Sequence, residues 1–433
     1  MEKENKNLPE GDVKKTIQID INTLNACVQC GLCKTVCPTY NVEFDEAYSP
    51  RGRILLAKSL VEGKLPLTPE VAKRWDECTL CRNCENICPN GVEYKELLVH
   101  VREEVNKSLG KDWIKYIGLK SLTFQGSKIQ KLFLKAGSLI SKLVLGKKNT
   151  LPMFFPTGAV KFFPKPRWDA QSLRGKIFFP LGKPKATVLF FPGCMYENFY
   201  VDTAKNVIRL LQKLGYRVIV PDQTTCCGGP HYYSGFVEMF EQLKEKNLKV
   251  FNRIREKYPI EALVVVCPTG GGTFKEEYKL DLPVLELVEI LNRELEEIPS
   301  PKEEKVTIHY PCHSYTAMKM DISLFDRVVE KTRGAKLVKG ELNKSCCGFA
   351  GMFSIKNPTL SDKILKRKME DFAATGAEKI LTSCPGCVLQ LNEGTIKFGK
   401  NLEVQHIADF VASKLLTKEE IEKLDTLVEE LKI

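Results

Sequence analysis

The stretch Ala262-Leu263-Val264-Val265-Val266-Cys267-Pro268-Thr269-Gly270 is echoed 117 residues later by Lys379-Ile380-Leu381-Thr382-Ser383-Cys384-Pro385-Gly386-Cys387. In both, a short β-favouring run leads straight into Cys-Pro, which reads as a buried strand ending in a loop that carries thiols. The echo extends outward. Cys194 matches Cys312 at an offset of 118, and Cys226-Cys227-Gly228 matches Cys346-Cys347-Gly348 at 120, so one unit of nearly constant period stands twice in the chain. Apolar runs precede each cysteine: Thr187 to Phe191 and Arg217 to Val220 in the first unit, Val306 to Tyr310 and Lys336 to Val338 in the second. Helical patterns such as Thr203 to Leu214 and Glu238 to Glu256 separate them, which predicts parallel βαβ structure. Every cysteine then falls past the carboxyl end of a strand, the edge at which open α/β sheets bind ligands.

The residue types narrow the chemistry. Two adjacent cysteines do not both face a single metal ion easily, but they reach different irons of a larger cluster, and the following glycine removes a side chain that would crowd it. A polynuclear iron-sulfur site is therefore expected in the second unit, at Cys312, Cys346, Cys347, Cys384 and Cys387. The first unit offers only Cys194, Cys226, Cys227 and Cys267, because Thr269-Gly270-Gly271-Gly272 stands where a final cysteine is expected. Four thiolates there could hold zinc, a 4Fe-4S cluster or nothing. His231 and His313 lie beside these loops as candidate ligands, proton carriers or hydrogen-bond donors.

Nearer the N-terminus, Cys27-Val28-Gln29-Cys30-Gly31-Leu32-Cys33-Lys34-Thr35-Val36-Cys37-Pro38 and Cys78-Thr79-Leu80-Cys81-Arg82-Asn83-Cys84-Glu85-Asn86-Ile87-Cys88-Pro89 share the spacing C-x2-C-x2-C-x3-C-P. Three closely spaced cysteines wrap one cubane and the fourth ligates the other, so the sets read as Cys27, Cys30, Cys33 with Cys88, and Cys78, Cys81, Cys84 with Cys37. Zinc would leave a third thiolate per motif without a role. The insert between the motifs, with Pro50-Arg51-Gly52-Arg53, is expected to form helices over the clusters, and Arg51 and Arg53 either raise cluster potentials or sit solvated at a helix start. These motifs use all 17 cysteines, so none is left for a separate nucleophile.

The chain has 433 residues and a formal charge of +11. An odd cysteine count at about 4% of a chain this long argues against a disulfide-stapled secreted scaffold. Met1 to Lys15 is polar, and no run approaches a membrane span, so a cytoplasmic protein is expected, at most peripheral on the inner face of the membrane. Residues 111–185 carry a net +14 and leave the remainder at −3. Within them Leu132, Leu139, Ile140 and Leu143 recur at helical spacing, with Lys128, Lys131, Lys135 and Lys142 mainly on another face. One reading is a linker helix whose apolar face packs on its neighbours while the lysines are solvated. The other is a docking surface for an acidic partner or an anionic membrane. No nucleic-acid module accompanies the charge, so nucleic acid is not an expected partner. The domains read as a two-cluster ferredoxin-like part over 16–108, a basic helical and proline-rich connector over 109–185, βαβ units over 186–300 and 301–415, and a C-terminal helix over 416–433. The fold class is α+β for the helical N-terminal part and α/β for the repeated units. No G-x-G-x-x-G follows a predicted strand, so flavin or nicotinamide is expected on another subunit.

Together, CVQCGLCKTVCPTY, SPRGRI, CTLCRNCENICPNGVEY, the two CCG units and CCGFAGMF resemble the iron-sulfur subunit of glycolate oxidase and its relatives in D-lactate and anaerobic glycerol-3-phosphate dehydrogenases. The resemblance spans about Leu24 to Phe410. It implies a partner FAD subunit that oxidises a 2-hydroxy acid such as glycolate or lactate and passes electrons toward a quinone or other acceptor, with the chain inactive alone. The basic connector would then dock the flavoprotein or the membrane. The architecture is also similar to the catalytic subunit of heterodisulfide reductase. By that resemblance Cys312, Cys346, Cys347, Cys384 and Cys387 form an intact non-cubane 4Fe-4S site for disulfide chemistry, while Gly270 or Gly271 departs from the pattern in the first unit.

Overall fold

The computed structural model describes residues 19, 21–145, 150–298, 303–332 and 334–432, and of residues 142–145 the backbone alone. The expected boundaries at 16 and between 300 and 301 lie outside these residues, as does the N-terminal polar segment.

The cysteine-ended runs are strands. In the first unit β4 (Ala186–Phe191), β5 (Tyr216–Val220), β6 (Ala262–Val265) and β7 (Val284–Glu286) follow β1 (Thr150–Phe154), β2 (Val160–Pro164) and β3 (Lys176–Phe178). The second unit has β8 (Glu304–Ile308), β9 (Ala335–Leu337), β10 (Lys379–Thr382) and β11 (Glu403–His406), and β12 (Val428–Glu430) closes the chain. The sheet orders β5-β4-β6-β7 and β9-β8-β10-β11 are the same path walked twice, all in parallel. The order reverses between β4 and β6, and between β8 and β10. The cysteine loops therefore sit at the crevice such a reversal opens.

The two units face each other reciprocally. The helix Val201–Lys213, after the first strand of unit one, packs on Ile407–Leu415, after the last strand of unit two, while Ser323–Glu330 and Leu287–Glu294 make the repeat-equivalent contact. A residue set meeting its own equivalent in this way defines a pseudo-two-fold axis within one chain. Across it Asp409 accepts from Thr203 Oγ1 at 2.8 Å and Asn206 Nδ2 at 2.9 Å, and one apolar core runs through both units, from Leu189 and Val264 to Leu381 and Phe410.

The ends of the chain differ from expectation. The helix expected over 416–433 covers only Lys418–Thr426; β12 then pairs antiparallel with β3, which pairs antiparallel with β5. Val428 and Leu431 pack on the apolar core, and this burial favours an added strand over a longer helix. The connector likewise is not purely helical: it contains the β1–β2 hairpin, and its last strand, β3, belongs to the sheet of the first unit.

The helix Lys128–Leu145 also reverses the simpler expectation. Ser138 and Ser141 are buried, whereas Ile129, Leu132, Phe133, Leu139 and Ile140 are exposed. Gln130 anchors it by accepting from Gly126 N at 3.1 Å and from Gln171 Nε2 at 2.9 Å. Leu143 and Lys142 lie outside the described side chains. No helix of the described residues is long and apolar enough to cross a membrane.

Candidate metal centres

The two N-terminal motifs fold into the same loop. Gln29 and Gly31 have φ of 59° and 85°, and Leu80 and Arg82 have φ of 50° and 63°. Left-handed backbone at the same two positions of each motif, three of the four residues not glycine, marks loops held in a set shape. At Gly31 a Cβ would come within 2.8 Å of the Arg51 guanidinium, whereas Arg82 takes the same backbone conformation with a side chain. Arg51 donates from Nη1 to Gln29 O at 2.8 Å and from Nε to Glu46 at 2.6 Å, which brings the helix Pro50–Val61 against the first loop.

Cys27, Cys30, Cys33, Cys84 and Cys88 line a cavity of about 40 Å³ with Ile54, Val92 and Tyr94. Cys37, Cys78, Cys81 and Cys84 lie close enough that burial and their mutual charge drive the Cys84 thiol well up. Cys27, Cys30, Cys33 and Cys88 around the apolar hollow, which Cys84 of the second motif also reaches, fit a cubane, whose thiolate charge is shared with iron. Arg53, 1% exposed, runs beneath the second set and donates to Arg74 O (2.6 Å), Tyr48 O (2.8 Å), Glu77 O (2.8 Å) and Thr39 Oγ1 (3.3 Å). It is no solvated helix-start arginine.

Nine residues of the two repeated units were expected as two separate sets. Unit two brings its five together: Cys346 shares side-chain hydrogen bonds with Cys312 and Cys347, Cys347 Sγ lies 3.5 Å from Cys387 Sγ, and Cys387 neighbours Cys384. Cys384 then bonds Cys267 of unit one. Cys267 and Cys384 are repeat equivalents, so this pair sits on the pseudo-two-fold axis and joins the two sets. The remaining thiols of unit one form their own group, Cys226 bonding both Cys194 and Cys227. Hydrogen bonds from neighbouring thiols and from Gly348 N keep Cys346 well below the usual thiol range, and bonds from Cys267 and Cys387 do the same for Cys384. Five thiols in an unbroken chain suit a site that shares several irons among adjacent cysteines.

The glycines explain the inequality of the units. A Cβ built on Gly270 would lie 3.6 Å from Cys227 Sγ, the relation that Cys387 has with Cys347. On Gly271 it would strike Met318 Sδ at 2.5 Å. Gly270 is thus the repeat equivalent of Cys387.

Of the roles open to them in the sequence, His231 and His313 take that of hydrogen-bond donor. His231 Nε2 donates to Leu119 O at 2.9 Å and so pins the helix Trp113–Thr123 to the Cys226 loop. His313 spans three parts: Nε2 donates to Leu80 O at 2.9 Å and Nδ1 accepts from Thr269 Oγ1 at 2.9 Å. Burial lowers its pKa, so the ring is neutral and both nitrogens are engaged. The histidine the sequence reading missed is His309, just past β8 and three residues before Cys312. Its Nε2 is 3.1 Å from Cys387 Sγ, and its ligand atom lies within 4.8 Å of those of Cys347 and Cys387. The repeat offers the signal: at the position of His309 unit one has Phe191. Behind these thiols Lys368, buried and pushed down to about 8 by that burial, donates to Leu342 O and to Ser345 O at 2.7 Å.

A cavity of about 230 Å³ is walled by Cys194 and Cys267 of unit one, all five cysteines of unit two, and Cys78, Thr79 and Leu80 of the second N-terminal loop. That loop is fastened in place. Thr316 Oγ1 lies 3.2 Å from Cys81 O, Tyr315 OH donates to Asn83 Oδ1 at 2.9 Å, and Arg82, 4% exposed, donates from Nη1 to both oxygens of Glu276 at 2.7 and 2.9 Å.

Residues 188–275 and 306–392 match the cysteine-rich domain family CCG, and residues 23–92 match the 4Fe-4S dicluster domain. The chain is 28% identical over 425 residues to the probable glycolate oxidase iron-sulfur subunit of Bacillus subtilis, covering 91% of this chain and 94% of that one. It is 29% identical to the glycolate oxidase iron-sulfur subunit of Escherichia coli (85% and 89%) and 23% identical to a subunit of the fumarate reductase (CoM/CoB) of Methanothermobacter marburgensis (88% and 70%).

Proposed function

Since the chain belongs to the iron-sulfur proteins that join a 4Fe-4S dicluster domain to two CCG domains, the family of the glycolate oxidase iron-sulfur subunits, we propose that it is the electron-transfer subunit of a flavin-dependent 2-hydroxy acid oxidase. It takes electrons from a partner FAD subunit acting on glycolate or lactate and delivers them to a quinone or another acceptor. Iron-sulfur clusters supply one-electron steps that a hydride-accepting flavin needs in order to be drained. The reading assigns one cubane to Cys27, Cys30, Cys33 and Cys88, a second to Cys78, Cys81, Cys84 and Cys37, and a non-cubane cluster to Cys312, Cys346, Cys347, Cys384 and Cys387, with His309 beside it. Cys194, Cys226 and Cys227, with Cys267 shared across the axis, hold zinc, a further cluster or nothing.

The observation that carries this reading is the shared cavity wall. His313, next to Cys312, bonds the carbonyl of Leu80, which supports a close approach of the second N-terminal set to the five-thiol set across the cavity they share. The remaining residues here position and shield. The test is anaerobic copurification: an FAD protein is expected to accompany the chain, and glycolate- or lactate-dependent dye reduction is expected only from the complex. Oxidation of glycolate by the purified chain alone sinks the proposal.

A second reading, disulfide or thiol chemistry at Cys312, Cys346, Cys347, Cys384 and Cys387, is favoured by one observation: the cavity beside these five thiols is large enough for a small thiol. It predicts a new paramagnetic signal when a thiol is added to the oxidised protein, and unchanged spectra with every thiol tried count against it.

A further inference from the structure

The helix Lys128–Leu145 lies on the protein the wrong way round for a soluble linker. Its serines face inward, Ser138 and Ser141 being 3% and 6% exposed, and Gly137 rests near Pro166. Its large apolar residues face outward: Ile129 is 65% exposed, Leu132 70%, Phe133 71%, Leu139 64% and Ile140 59%. At about 100° per residue these five fall within one stripe roughly a third of the circumference wide. Lys128, Lys131 and Lys135 fall together along one flank of that stripe, between it and the seated face. The preceding helix, Trp113–Thr123, exposes Trp113 and Ile117, and Phe124 beyond its end is exposed as well.

Charge selects the occupant. From Trp113 to Trp168 the sequence holds ten lysines, one arginine and not one carboxylate. A protein partner's rim is a mixture of charges and hydrogen-bonding groups, whereas a stripe of Leu, Ile and Phe beside lysines alone, with a nearby exposed tryptophan, matches an interface of acyl chains beneath anionic headgroups. We propose that the outward face of Lys128–Leu145 seats the protein on an anionic lipid bilayer, with Ile129, Leu132, Phe133 and Ile140 entering the acyl boundary and the flanking lysines at the phosphates. This goes beyond the electron-transfer reading and does not rest on it, since lipid binding consumes no electrons and needs no partner subunit.

The experiment uses the full chain, purified anaerobically, sedimented with vesicles of phosphatidylcholine alone or mixed with phosphatidylglycerol. Binding is expected on the mixed vesicles, about tenfold weaker on phosphatidylcholine, and weakened by salt. The double variant Leu132→Glu with Phe133→Glu should lose at least about tenfold on both lipids while keeping the iron content of the parent. Lys128→Glu with Lys135→Glu should lose binding on the mixed vesicles only. No sedimentation with phosphatidylglycerol vesicles, unchanged binding by the Leu132→Glu, Phe133→Glu variant, or a concentration-dependent dimer of the parent that this variant abolishes would each overturn the proposal.

Discussion

Single side chains decide which thiols act together. Gly270 occupies the position that Cys387 fills in the second unit, with van der Waals room for a Cβ beside Cys227. Gly270→Cys is therefore expected to fold and to raise the metal bound per chain, read by iron, zinc and sulfide analysis. Gly271→Cys meets Met318 and Val265 at 2.5 and 2.9 Å and should instead lower Tm by several degrees, as overpacking costs about 1–3 kcal/mol. Arg53 is the second case. Arg53→Met takes the guanidinium donors from the interior carbonyls of Arg74 and Glu77 and removes a positive charge beneath Cys37 and Cys78. A loss of roughly 3 kcal/mol or more is expected, together with a more negative midpoint for the cluster at Cys37, Cys78, Cys81 and Cys84 in an electron-paramagnetic redox titration. Spacing alone made the thiols legible, because cluster geometry constrains the sequence locally. His309 escaped notice because its significance lies in a contact with Cys387, 78 residues away, and not in any local pattern.

At the scale of elements, strands were readable where an apolar run stops abruptly at a cysteine, as Val264 and Val265 do before Cys267. Pleated, doubly buried strands demand such uninterrupted runs. The orientation of Lys128–Leu145 was not readable, since periodicity reveals that a helix has two faces but not which one meets solvent. The connector hairpin escaped for a related reason: Pro152 and Pro164 argue against strands, yet β1 and β2 pair only with each other and so keep free edges where proline is tolerated. Elements are also tied by charge. Asp76, at the end of the helix Pro69–Asp76, meets Lys115 of one connector helix and Lys356 of the helix Met352–Lys356 (3.1 Å). Burial alone would raise its pKa, but Lys115, Lys356 and Arg102 hold it down at about 2. A folded-state pKa below the unfolded value contributes stability above about pH 4 that is lost as pH falls toward 2. Denaturation curves at pH 6 and pH 3 should therefore differ, and Asp76→Asn should flatten that acid limb by roughly 2 kcal/mol while lowering stability at pH 7.

For the whole molecule, the pseudo-two-fold axis turns a repeat in sequence into one crevice in space. The offset of about 120 residues was plain from the sequence, whereas the meeting of Cys267 with Cys384 required the reciprocal helix contacts to be seen. The same scale holds the return of the chain to its first unit. Deleting residues from 427 onward removes β12, uncovers β3 and takes away the carbonyl of Leu427 that accepts from Phe179 N at 2.9 Å. Such a chain should unfold at lower temperature and aggregate with time in light scattering, because a bare strand edge templates association.

That closing strand also sets an order of manufacture. β5 ends at Val220 and β12 begins at Val428, so at ordinary translation speeds roughly 10–40 s separate their emergence from the ribosome. Throughout that interval the first unit waits with β3 as an open edge, where another strand can add. The window for edge-to-edge pairing during synthesis is therefore set by the length of chain between the two strands.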